Sequence, residues 1–94
     1  MLVPAEALAK EGVAVNCVYL LESVRHPNQR YVGLASDPDE RLKEHNARKS
    51  PHTSKYVPWR LVAVVRFAKQ DRATALERYL KSGSGRAFAK RHLW

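Results

Sequence analysis

The chain has 94 residues and a formal net charge of +8. That length suits one domain with a modest core and excludes two. Close to half of the residues are apolar (45%), so composition does not point to a disordered chain. The charge is uneven: residues 1–23 carry Lys10 against Glu6, Glu11 and Glu22, and residues 24–94 carry a net +10. An excess of this sign suits a polyanionic partner, because each phosphate neutralised by Lys or Arg releases a condensed counterion. Cys17 stands alone, which rules out an internal disulfide. With no CxxC and no HExxH spacing among His26, His45, His52 and His92, a structural zinc site is not expected either. Charged residues interrupt the N-terminal stretch, so neither a signal peptide nor a membrane span is expected, and a cytoplasmic location is the default.

Residues 1–12 read as a short leader, too brief to hold a helix alone, and residues 13–94 as a single domain. Residues 13–24 are rich in β-branched and aromatic side chains and predict a buried strand near 15–23. His26-Pro27-Asn28-Gln29 is a turn. Arg30 to Ala35 forms the second strand, antiparallel to the first because the connection is short. Asp37 as N-cap, Pro38 at the first helical position and Glu40 in a capping-box-like place start a helix that should run to about Arg48. Residues 49–58, with two prolines and several hydroxyls, predict a loop. Residues 59–67 give a third, strongly apolar strand. Asp71 is expected to cap a second helix with Ala73, Leu76 and Leu80 on its apolar side and Gly83 at its end. Ser84 is expected to cap a short final helix anchored by Phe88. The order is β-β-α-β-α-α, a mixed α/β (α+β) domain on a small three-stranded antiparallel sheet with flanking helices.

Three placements are unusual on structural grounds. Arg41 and His45, four apart, share one face of the first helix, a face that would ordinarily be solvated. Glu77 lies at the edge of the second helix's apolar stripe, where a charge is costly unless paired or metal-bound. A salt bridge to Arg41 or Arg66 would satisfy it as well as a metal would. Tyr19 and Tyr31 sit in apolar hairpin strands, either as ordinary core tyrosines or as hydroxyls sharing a polar pocket with the arginine and the glutamate.

Taken together, Cys17-Val18-Tyr19 followed by Tyr31-Val32-Gly33 resembles the two name-giving motifs of the GIY-YIG nucleases. Arg41 falls ten residues after Tyr31 on the next helix. His45 matches a position the family fills with Tyr or His, and Glu77 follows the third strand as the family's single metal-binding glutamate does. The segments 41–46 and 81–86 look like a small stand-alone bacterial branch, similar to the nuclease module of the excision-repair incision subunit. Cys17 replaces a glycine, Val18 and Val32 replace isoleucines, Leu34 stands where some members have lysine, and no asparagine follows Asn46.

The resemblance implies a metal-dependent DNA endonuclease, with repair or recombination as its setting. Glu77 would hold one Mg²⁺ or Mn²⁺ ion. Arg41 would brace the scissile phosphate with its planar fork. Tyr31 would position the network, and Tyr19 or His45 would serve as base; a free histidine is the better matched of the two to neutral pH. Grip on the DNA backbone, with weak sequence specificity, is expected from Lys49, His52, Ser54, Lys55 and Tyr56 in the loop and from Arg86, Lys90 and Arg91 near the end. The competing expectation is a module that keeps the fold and binds DNA or RNA without cutting it.

Overall fold

The computed structural model describes residues 14–94. The expected leader, residues 1–12, lies outside the described residues. Three strands, β1 (Cys17–Ser23), β2 (Arg30–Ala35) and β3 (Trp59–Arg66), form one sheet in the order β2-β1-β3. Both pairings are antiparallel, and β1 lies in the centre. Helix α1 (Pro38–Asn46) follows the hairpin, α2 (Pro51–Ser54) is a single turn, and α3 (Gln70–Leu80) and α4 (Gly83–His92) follow β3. The α+β expectation with a three-stranded antiparallel sheet therefore holds.

Burial of β1 on both faces explains why its sequence is nearly unbroken in apolar residues: only Glu22 is partly exposed. Period-two alternation then sorts its side chains. Val18 and Leu20 join Ala73, Leu80 and Ala89 in an apolar cluster under α3 and α4. Tyr19 and Leu21 join Ala35 and Trp59 on the opposite face, with Leu42 of α1 against them. The sheet thus separates two layers, and the polar side chains of α1 belong to the second.

The caps settle where each helix begins. Asp37 accepts from the Glu40 amide at 3.1 Å, and Pro38 occupies the first turn. α1 stops at Asn46, two residues short of the expected end, and Arg48 beyond it takes a φ of 62°. Residues 49–58 are not all loop, because Pro51–Ser54 close one helical turn. Lys69, not Asp71, is the N-cap of α3, so Asp71 sits inside the first turn, where its charge suits the helix dipole. Gly83 does not end α3; it begins α4, whose N-cap is Ser82 rather than Ser84. The Ser82 hydroxyl accepts from the Gly85 amide at 3.2 Å. Gly85 is required at this corner, since a Cβ there would lie 1.7 Å from the Tyr79 carbonyl oxygen. Phe88 is 40% exposed, with its ring beside those of Tyr79 and His92, and is not the buried anchor expected; Gly85 and Ala89 are the residues that α4 buries. Among the described residues no helix is long and apolar enough to cross a membrane.

Candidate functional site

The site is assembled around β2, an edge strand. Tyr19 on β1 is directly opposite Gly33 on β2 in the register. A Cβ at Gly33 would come within 2.6 Å of the Tyr19 ring carbon and hydroxyl, so only glycine lets the strand pass over this tyrosine. Tyr31, two residues earlier on β2, lies on the same face, with its ring 6.0 Å from that of Tyr19 and 4.9 Å from that of His45. Arg41 and His45 reach in from α1. Glu77 comes from α3 in the other layer, and its charge is the smallest of the influences that raise the Tyr31 phenol.

The five side chains differ in depth. Tyr19 and His45 have no exposed surface, and Arg41 is 8% exposed. Tyr31 and Glu77 are half-buried. The expected solvated face of α1 is therefore a buried polar layer, and Tyr31 and Glu77 are the two of the five that keep an appreciable part of their surface in solvent. The Tyr19 hydroxyl is 2.9 Å from His45 Nε2, and His45 Nδ1 is 2.7 Å from the Thr53 hydroxyl. Arg41 Nη1 donates to Glu44 Oε1 at 2.6 Å, one turn away. Arg41 Nε is buried and has no hydrogen-bond partner among the described residues. A buried donor left without an acceptor is costly, and a charged one more so, which makes this atom a natural contact for an anionic ligand.

Burial dominates the protonation states. It pushes the Tyr19 phenol up, against the Arg41 guanidinium, which favours the phenolate. Burial raises Tyr31 as well, and the Tyr19 and Glu77 charges add to it. Burial and the Arg41 charge together pull His45 down to about 4, so at neutral pH its imidazole is uncharged. Burial also works against the Arg41 charge, but Tyr19 and Glu44 more than offset it and the guanidinium stays protonated.

Glu77 pairs with Lys81 one turn along α3, not with Arg41 or Arg66. The spacing of four that allows this is plain in the sequence, but the earlier expectation looked to distant arginines. Lys81 Nζ lies on an exposed side chain, so the pair is held at the surface end of Glu77. No group of three or more His, Cys, Asp or Glu side chains is placed to hold a metal among the described residues. A single carboxylate is nonetheless a donor set that suits Mg²⁺, which keeps most of its shell as water and substrate oxygens.

Of the expected backbone contacts, Lys49, His52, Lys55, Arg86, Lys90 and Arg91 are exposed. Ser54 and Tyr56 are half-buried and committed inside the protein. The Ser54 hydroxyl donates to the Pro51 carbonyl, and Tyr56 packs edge-on against His26 and Trp59. Arg86 and Lys90 line a cleft of about 600 Å³ with Arg30, Tyr31, Lys81 and Trp94, and no Asp or Glu side chain among the described residues lines it. Arg30 lies over the Trp94 ring at 4.9 Å. Sequence reasoning missed Arg30, Lys81 and Trp94 because they are brought together only by packing of α4 across the start of β2. It also singled out no role for Thr53, which is 1% exposed.

Comparison with known proteins agrees with this geometry. The family model described as the GIY-YIG catalytic domain matches residues 15–91. A structure-specific endonuclease subunit slx1 from Talaromyces stipitatus is 36% identical over 63 residues, covering 62% of this chain and 16% of that protein. A structure-specific endonuclease subunit SLX1 homolog from Drosophila mojavensis is 41% identical over 68 residues, covering 64% of this chain and 22% of that protein. The chain thus spans less than a quarter of the length of these curated relatives. With the matched region running from the start of the sheet into the last helix, the chain belongs to the GIY-YIG family.

Proposed function

We propose that this domain is a divalent-metal-dependent endonuclease that hydrolyses phosphodiester bonds in DNA, with branched or otherwise non-duplex structures as its preferred substrate. The observation that carries this reading is Arg41: a guanidinium almost withdrawn from water, with a partnerless Nε, set beside two tyrosines and a neutral histidine at the edge of a strand. The preference for structured DNA is suggested by the description of the relatives as structure-specific endonuclease subunits.

In this reading Arg41 contacts a non-bridging oxygen of the scissile phosphate and offsets charge as it develops. Glu77 would hold Mg²⁺ or Mn²⁺ in place of its pairing with Lys81, and such an ion would supply Lewis-acid charge at the leaving oxygen. Tyr31, on the solvent side, positions the phosphate and the attacking water. Tyr19 keeps its proton at neutral pH and orients that water through its oxygen. His45 has no contact with solvent, so it acts through Tyr19: as the phenol oxygen takes a proton from the attacking water, the phenol proton passes to His45 Nε2. The cleft formed by Arg30, Lys81, Arg86, Lys90 and Trp94 opens beside Tyr31 and receives the strand that leaves the scissile bond. Its cations pair with phosphates, and its indole offers a surface for an unpaired base. Such contacts follow the backbone and carry little sequence information.

The Glu77–Lys81 pair favours a second reading, a nucleic-acid-binding module that keeps the fold without cleaving. The test is incubation of the purified protein with branched, single-stranded and duplex DNA, in Mg²⁺ or in chelator. The proposal expects cleavage that depends on the metal and is fastest on a branched or single-stranded form. Tight binding with no cleavage of any form would favour the second reading.

A further inference from the structure

Neutral His45 carries one ring proton, and its two nitrogens have one partner each. Nδ1 faces the Thr53 hydroxyl at 2.7 Å and Nε2 faces the Tyr19 hydroxyl at 2.9 Å. All three side chains are sealed from solvent, so no bulk water can complete their hydrogen bonds. The donors can therefore be counted. The Thr53 hydroxyl is 3.4 Å from the Ser50 carbonyl, an atom that can only accept. With its proton directed there, the Thr53 oxygen is an acceptor toward His45, and the imidazole proton lies on Nδ1. Nε2 then accepts the Tyr19 proton. The opposite arrangement would need the Thr53 proton to leave the Ser50 carbonyl for Nδ1 and the phenol proton to turn outward to the half-buried Tyr31 hydroxyl. Arg41, the charged neighbour that favours the Tyr19 phenolate, has only donors to offer.

We propose that Thr53 is a positioning residue that fixes His45 as the Nδ1–H tautomer, so that the Tyr19 proton points inward to Nε2 and its oxygen lone pairs point toward Arg41 and the reacting phosphate. The proposal rests on the nuclease reading for its consequence, but not for the tautomer itself. The backbone holds Thr53 in place from two sides: the α2 turn closes on the Ser50 carbonyl, and the Thr53 carbonyl accepts from Trp59 Nε1 at 2.8 Å. Trp59 is fixed in turn by Asn46, whose amide bonds both its N–H and its carbonyl. The segment between α1 and β3 therefore serves the site from inside the protein, as well as offering basic side chains outside.

The decisive measurement is the tautomer. Long-range ¹H–¹⁵N NMR of the His45 ring at neutral pH should show Nδ1 protonated and Nε2 bare in the wild-type chain. Thr53→Val, close to isosteric, removes both the acceptor and the donor and should shift the ring toward Nε2–H; Thr53→Ser should keep the wild-type pattern. In cleavage assays Thr53→Val should lower kcat by about tenfold or more with KM within about twofold, and Thr53→Ser should restore it. A wild-type ring protonated on Nε2, or a Thr53→Val ring unchanged from wild type, would overturn the proposal. If Thr53→Val unfolds, the wild-type spectrum alone still decides. A wild-type Nδ1–H ring in a protein that cleaves nothing would leave the tautomer assignment standing and defeat the nuclease reading instead.

Discussion

The two faces of the central sheet are built from the same strands and do opposite things. Under α3 and α4, Val18 and Leu20 meet Ala73, Leu80 and Ala89, with hydrocarbon against hydrocarbon. Under α1, the same strand β1 presents Tyr19 to a histidine, an arginine and a threonine, all buried. The first face holds the fold through removal of apolar surface from water. The second gives up part of that gain, since each buried polar group must find a partner, and Arg41 Nε does not. One layer supplies stability so that the other can hold the hydrogen-bonded network on which the site depends. Glu77 belongs to the first layer by its helix, where its half-buried carboxylate pairs with Lys81.

Substitutions on the two faces should therefore separate stability from activity. The largest loss of stability is expected from Leu20→Ala, at about 2–5 kcal/mol for a fully buried leucine, with cleavage per folded molecule unchanged. Urea unfolding and activity measured on the same preparation check both halves. Arg41→Ala, on the other face, should lower cleavage by about a hundredfold and also weaken DNA binding, because the guanidinium contacts phosphate in ground and transition states alike. Gly33→Ala should cost about 1–3 kcal/mol by forcing a methyl group against the Tyr19 ring. It should also reduce cleavage, because the ring cannot yield without leaving His45; a fully active Gly33→Ala protein would show that the Tyr19–His45 contact is dispensable.

Stability should also depend on pH. His45 drops from its ordinary 6.5 to about 4 on folding. Between these values the unfolded chain binds more protons than the folded one, so the His45 contribution is complete above about 6.5 and is lost as pH falls toward 4. Urea midpoints measured across that window should decline with falling pH, and a His45→Gln variant should decline less.

The strands and the start of α1 were legible because each is written locally. The β-branched run 59–66 and the Asp37-Pro38 start of α1 depend on neighbours a few residues apart. The caps of α3 and α4 were misread because Asp71 and Ser84, each a good N-cap type, stand two residues beyond the true caps Lys69 and Ser82. Lys69 makes no side-chain cap bond and so leaves no signal. Depth was not legible either. Nothing local says that His45 is sealed and Tyr31 is not, since this depends on Gly33 crossing Tyr19 and on the α2 turn closing under α1. Thr53 acquires its role from a contact that exists only after that closure.

The central claim is that Glu77 couples this polar layer to a metal and so to phosphodiester cleavage. It is tested most directly by Glu77→Ala, assayed for Mg²⁺-dependent cutting of branched DNA and, in parallel, for DNA binding and thermal melting. The account predicts a folded protein whose cleavage is abolished and whose binding is equal to wild type or slightly tighter, because the substitution removes a carboxylate that repels phosphate and frees Lys81 to attract it. A folded Glu77→Ala protein that still cuts DNA in Mg²⁺ at the wild-type rate would contradict it.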